Sequence, residues 1–219
     1  MASLLVCAAL ACGGCKDRKG GAVSVVGSTS VQPFAELLAE EYERKCPGPG
    51  HYVDVQGGGS TAGIQALANG LADIGTCSRS LKKDEAELYE PITIARDGLA
   101  IVVHPSNPIT GLSLEEVRML FAGRATNWRQ VGGPDRTIRP IVREEGSGTR
   151  EAFTNLVMGK ERVSRKALVQ ESNGAVKELV KNDPAAVGYM SLGLVGGELK
   201  MLTVDGAAPT APKPSGAAS

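Results

Sequence analysis

Val23-Ser24-Val25-Val26-Gly27-Ser28-Thr29-Ser30, followed by Phe34, Leu37, Leu38 and Tyr42 at helical spacing, is the stretch that decides the fold class. A short β-branched run, a Gly and hydroxyl cluster, and an amphipathic segment with Pro33 in its first turn read as strand, turn and helix. The unit recurs. Gln56-Gly57-Gly58-Gly59-Ser60-Thr61 closes a strand expected over 53–56 and precedes a helix over 64–69, with Gly70 placed to end it. Glu145-Gly146-Ser147-Gly148-Thr149-Arg150 follows a strand expected over 137–142 and opens a helix from Thr149. Further strands are expected over 71–77, 99–104 and 186–189, and a helix over 175–181. Ser113-Leu114-Glu115-Glu116 forms a capping box that starts a helix presenting Leu114, Val117, Leu120 and Phe121 on one face. Strands separated by helices predict an α/β fold with parallel pairing and right-handed crossovers. No repeat of 20 to 50 residues points to a solenoid.

Composition sets the outer limits. The 219 residues are enough for a substantial core, and 24 Lys and Arg against 24 Asp and Glu give no net charge. The electrostatic footprint of a nucleic-acid or anionic-membrane binder is therefore missing. The longest apolar run, about eight residues near the N-terminus, is far short of the ~20 that span a bilayer. With 28 Gly and only eight aromatic residues, the core should be aliphatic and the turns numerous.

Cys7, Cys12 and Cys15 lie in a leader-like stretch of small apolar residues. Cys12, after Ala9-Leu10-Ala11, is the expected lipidation site of a signal and lipoprotein segment over 1–20. A cleaved soluble export signal is the alternative. Cys46 and Cys77 are expected as free thiols, since one should end a helix at the bottom of the sheet and the other a strand at its top, ~16 Å apart by strand rise. A disulfide needs Cα atoms within ~7 Å. The tail over 206–219 holds almost only Ala, Pro, Gly, Ser and Thr and is expected to be disordered.

The three Gly and hydroxyl clusters carry the chemistry. Free backbone N–H groups at helix starts favour anions, and Gly allows close approach. In a parallel sheet such turns emerge at the carboxyl ends of the strands and can converge on one oxyanion. No Lys follows the glycines, so none is a Walker loop. Arg143 ends an apolar strand three residues before Gly146, and a guanidinium binds two oxygens of a tetrahedral anion at once. Glu144 and Glu145 flank it, so a structural ion pair is the competing role. Ser147 is not in a nucleophile elbow and has no nearby His as base, which disfavours hydrolysis. His51 and His104 are far apart and lack metal-ligand spacing, so no metal is expected. Trp128 reads as a core anchor, and Lys82-Lys83-Asp84-Glu85 as a solvated helix start.

GSTSVQPFAE, VQGGGSTAGIQAL, ADIGTCSRSL, IARDGLAIVVHPSNPI, TNWRQVGG, IVREEGSGTREAF and AVGYMSLG, in this order over about 23–204, resemble successive blocks of the phosphate-binding proteins that serve ABC phosphate importers. The resemblance implies a two-lobed, type II periplasmic-binding-protein clam shell without cofactor. Its lobe 1 would be residues 21–98 plus 192–205 and its lobe 2 residues 99–191. Residues 99–102 and 187–189 would lie near the interlobe crossings. It implies ligand contacts from Thr29, Ser30, Ser60, Arg143, Ser147, Gly148 and Thr149. Ser28, Ser78 and Arg79 complete the candidate set, with Glu145 and Arg150 in support. The implied partners are inorganic phosphate and the membrane permease of an importer, with the chain a monomer on the periplasmic or outer face of the membrane, held there by a lipid at most. Two departures stand out. Ser78 occupies a position where some members have an Asp that accepts a phosphate proton, leaving Glu144, Glu145 or Asp97 as candidates and sulfate or molybdate as alternative ligands. The chain is also shorter than the family at its C-terminus, which leaves lobe 1 open to incompleteness.

Overall fold

The computed structural model describes residues 22–210. Cys12, the rest of the expected leader and residues 211–219 of the expected tail lie outside them. Strands β1 (Val23–Gly27), β2 (Val53–Gly57) and β3 (Ile74–Thr76) form a parallel sheet ordered β2-β1-β3. Helices α1 (Gln32–Lys45) and α2 (Ser60–Ala68) provide its crossovers. The register sets Gly27 level with both Gly57 and Thr76, so three strand ends share one rim.

A short helix α3 (Lys83–Ala86) and an extended segment lead to β4 (Leu99–Val103). Then come β5 (Gly111–Leu112), α4 (Leu114–Ala122), β6 (Arg139–Arg143), α5 (Gly148–Phe153), β7 (Leu168–Gln170), α6 (Asn173–Asn182), β8 (Ala186–Ser191), β9 (Lys200–Met201) and β10 (Thr203–Val204). Helix α5 runs on into a π-helical turn over Thr154–Met158. The second sheet is ordered β7-β6-β8-β4-β9, and β10 pairs with β5. Wholly parallel pairing, expected from the alternation, fails here: β6 runs parallel to β7 and β8, whereas β4 is antiparallel to β8 and β9. The cause is the route of the chain. Strand β4 arrives from the first lobe at the rim where β8 ends, with Leu99 opposite Ser191, so it must run the other way.

The second sheet holds most of the core. Along β4, Ile101 and Val103 pack on one side with Leu120, Phe121, Trp128 and Phe153, while Ala100 and Val102 pack on the other with Ile141, Val176 and Met190. This is the period-2 alternation of a strand buried on both faces. Trp128 is fully buried, as its core assignment required, and its indole N–H donates to the Ala185 carbonyl at 3.0 Å. The capping box forms, with Ser113 Oγ accepting from Glu116 N–H.

Of residues 192–205, expected in lobe 1, Gly193 touches that lobe by donating its N–H to Asp97 Oδ1, whereas residues 199–204 pack on the second. Lys200–Met201 pairs with β4 and Thr203–Val204 with β5, and Leu199 and Leu202 are buried among the second lobe's clusters. Among the described residues the chain therefore crosses between lobes once, where Gly98 precedes β4. Leu192 N–H donates to the Gly98 carbonyl beside that crossing. The first lobe is correspondingly thin. Its buried apolar residues are Val25, Ala39, Ile64 and Ala72, while Phe34, Leu37, Leu38 and Tyr42 of α1 and Ile74 of β3 are exposed. The third strand is also shorter than the expected 71–77. The chain turns back at Asp205 and Gly206, with Ala207 bridged to Val204. Cys46 and Cys77 are free thiols.

Candidate functional site

Gly27 ends β1 at φ 148°, and a Cβ there would lie 2.1 Å from the Thr76 carbonyl oxygen. Only glycine lets β1 turn this tightly against β3, which sends Ser28-Thr29-Ser30 along the rim. Ser28 Oγ accepts from Ser30 N–H at 3.2 Å, and both side chains are buried. The second cluster sits beside the first: Gly58 and Gly59 N–H both donate to the Gly27 carbonyl. Ser60, fully buried as the first residue of α2, accepts from Ser78 N–H at 3.1 Å.

The third cluster comes from the other lobe and meets both. Ser147 caps α5 by accepting from Arg150 N–H. Thr149 Oγ1 lies 2.9 Å from Ser30 Oγ. Thr61 N–H donates across the lobes to the Gly146 carbonyl at 3.1 Å. Gly148 packs so closely that an added Cβ would stand 2.5 Å from Ser60 Oγ and 2.6 Å from Ser78 Oγ. The three turns predicted to converge thus do so, two from one sheet and one from its neighbour.

Arg143 lies at the centre of this meeting. It ends β6 with its side chain 1 % exposed. Its Nε and Nη2 donate to Glu144 at 2.9 Å each, and Nη2 also donates to Thr29 Oγ1 at 3.0 Å and the Glu171 carbonyl at 3.2 Å. Its Nη1 is buried without a partner. A buried guanidinium donor left unmade is costly, and an oxyanion would satisfy it. Arg150 braces the strand end, donating from Nη1 to the Arg143 carbonyl at 2.6 Å. Tyr189 OH accepts Arg143 N–H at 3.1 Å, and burial pushes its phenol up to about 12.

Other candidates fall elsewhere. Arg79, placed in the ligand set, has its guanidinium clasped by Glu85, with Nη1 and Nη2 donating at 2.6 and 2.7 Å. Glu85 is accordingly buried and not solvated as its charged neighbourhood suggested, and the Arg79 guanidinium lowers its carboxyl to about 2. Among the acids considered for reading a ligand proton, Asp97 sits at the interlobe crossing, where its Oδ1 accepts from Gly98 N–H. Glu145 is 92 % exposed and 3.6 Å from Arg150. Glu144 remains, lining an open cleft with Thr29, Gln32, Gly57, Gly58, Glu171 and Ser172.

Sequence reading missed Asn173. Fully buried at the start of α6, it donates from Nδ2 to Ser30 Oγ at 2.9 Å and accepts Ser191 N–H on Oδ1 at 3.1 Å. Its signal was the polar pair Ser172-Asn173 opening a helix right after a strand, a fourth copy of the turn without glycine clustering.

A family model described as the PBP superfamily domain matches residues 16–207. The phosphate-binding protein PstS of Bacillus subtilis is 27 % identical over 201 residues, spanning 90 % of this chain and 66 % of that protein. The phosphate-binding protein PstS of Borreliella burgdorferi is 32 % identical over 200 residues, spanning 86 % of this chain and 71 % of its own length. A Clostridium perfringens crystal structure with bound phosphate, described as a phosphate ABC transporter substrate-binding protein, superposes with a TM-score of 0.82 at 35 % identity. That match covers 86 % of this chain and 78 % of the other.

Proposed function

Since the chain belongs to the PBP superfamily, and within it to the phosphate-binding substrate-binding proteins of ABC transporters, we propose that it captures inorganic phosphate between its lobes and hands it to a membrane permease. The observation that carries this reading is the unpartnered, buried Nη1 of Arg143 at the junction of three hydroxyl-rich turns. Thr29, Ser30, Ser60, Ser147, Thr149 and the amides beside Gly148 would surround the anion. Each charge-assisted hydrogen bond of this kind contributes about 1.5–3 kcal/mol. In this reading the protein acts as a carrier that breaks no bond in its ligand. It would work outside the cytoplasm as a monomer, with Cys12 as a lipid anchor.

Glu144 is the carboxylate best placed to accept a proton from the ligand, which would favour protonated phosphate over fully ionised sulfate. Isothermal calorimetry with phosphate and with sulfate tests the whole reading. The wild-type chain should bind phosphate, and Arg143→Ala should abolish binding because the anion loses its counter-charge. Micromolar phosphate affinity in that variant would exclude this site.

A further inference from the structure

Arg79 and Glu151 meet across the two lobes, one residue beyond Ser78 and two beyond Thr149. Arg79 follows β3 in the first lobe, and its Nε lies 3.2 Å from Glu151 Oε2 on α5 of the second. Most of the arginine is already spoken for: Glu85 takes Nη1 and Nη2, and the Ser80 carbonyl accepts from Nη1 at 2.9 Å. Glu85 is itself held by Lys82 N–H at 2.8 Å. The guanidinium is thereby fixed in one orientation, 3 % exposed, with its Nε edge turned to the other lobe.

We propose that Arg79 and Glu151 are an interlobe latch that lengthens the life of the closed, phosphate-loaded state. The inference rests on the phosphate reading for its ligand and on the contact geometry for its mechanism. An ordinary surface ion pair contributes little, because two long side chains must be ordered and water screens them. Here Glu85 and the Ser80 carbonyl, both of the first lobe, already hold Arg79, so Glu151 is the side chain that loses freedom when the contact forms. Its position also matters, since Glu151 follows Gly148 and Thr149 on the same short helix. Holding it keeps that helix against Ser60 and Ser30. A contact made only in the closed state acts on release and leaves capture nearly untouched.

The test uses the full chain and the variants Glu151→Gln and Glu151→Lys, whose position is 40 % exposed and tolerates the change. Loaded protein is mixed in a stopped-flow instrument with a fluorescent phosphate scavenger. Release should quicken about three- to tenfold in Glu151→Gln and further in Glu151→Lys, while the association rate stays within about twofold. Wild-type phosphate binding with unchanged release in both variants overturns the latch and leaves the phosphate reading intact. If the wild-type chain binds no phosphate, the phosphate reading fails, and small-angle scattering of the ligand-free proteins decides the latch. Glu151→Lys should then give a larger radius of gyration than wild type, and equal radii would overturn the proposal.

Discussion

Arg143 and Arg79 show how a buried guanidinium acquires its role from its acids. Both are nearly inaccessible and both face a glutamate, yet Glu85 takes both terminal nitrogens of Arg79, whereas Glu144 takes only one edge of Arg143. The first becomes a brace, and the second keeps Nη1 unpartnered, the donor that the proposed function gives to the anion. Glu85 also sets an acid limit. Its folded-state carboxyl lies at about 2, below the ordinary unfolded value of about 4.3, so its contribution is complete above pH 4.3 and is lost as pH falls toward 2. Thermal denaturation across that range should show Glu85→Gln with a flatter acid limb than wild type. Parallel limbs would show that the pair does not couple folding to protons.

At the scale of elements, β4 and α1 make opposite use of apolar sequence. Every second residue of β4 enters one of two clusters, and Leu120 of the neighbouring α4 is fully buried. On α1 the stripe Phe34, Leu37, Leu38 and Tyr42 has the spacing of a core-facing helix and yet remains exposed, Leu37 at 62 %. Periodicity thus identified the helix without saying what its apolar face would meet. Leu120→Ala should cost about 2–5 kcal/mol through the cavity it leaves, whereas Leu37→Ala should stay within about 0.5 kcal/mol. Urea denaturation of the two variants checks the contrast, and a large effect at Leu37 would mean that α1 has a partner in solution.

For the molecule as a whole, the unequal cores predict unequal stability. Amides of β1, β2 and β3 should exchange faster than those of β4 and β8, because few buried apolar residues hold the first sheet. Phosphate contacts both lobes in the reading above, so adding it should slow exchange in the first sheet most. A hundredfold excess over the dissociation constant should raise overall stability by about 2.7 kcal/mol. Hydrogen exchange followed by mass spectrometry would show this, and protection confined to the second lobe would contradict a ligand held between the two.

The local units were legible from the chain alone, because their information is local: β-branched runs, the Ser113 capping box, and glycines at the ends of β1 and β2. The three Gly and hydroxyl turns and the strand-end position of Arg143 were visible for the same reason. What only tertiary structure decided was which groups face one another. Arg79 looked like a ligand until packing set it against Glu85, and Asn173, outside the helix expected over 175–181, drew no attention until it reached Ser30. Residues 200–204 joined the second lobe because strand pairing with β4 and β5 satisfied their backbone there. Such pairings join residues tens of positions apart, and spacing along a chain records periodicity within an element without recording which distant element will supply the partner.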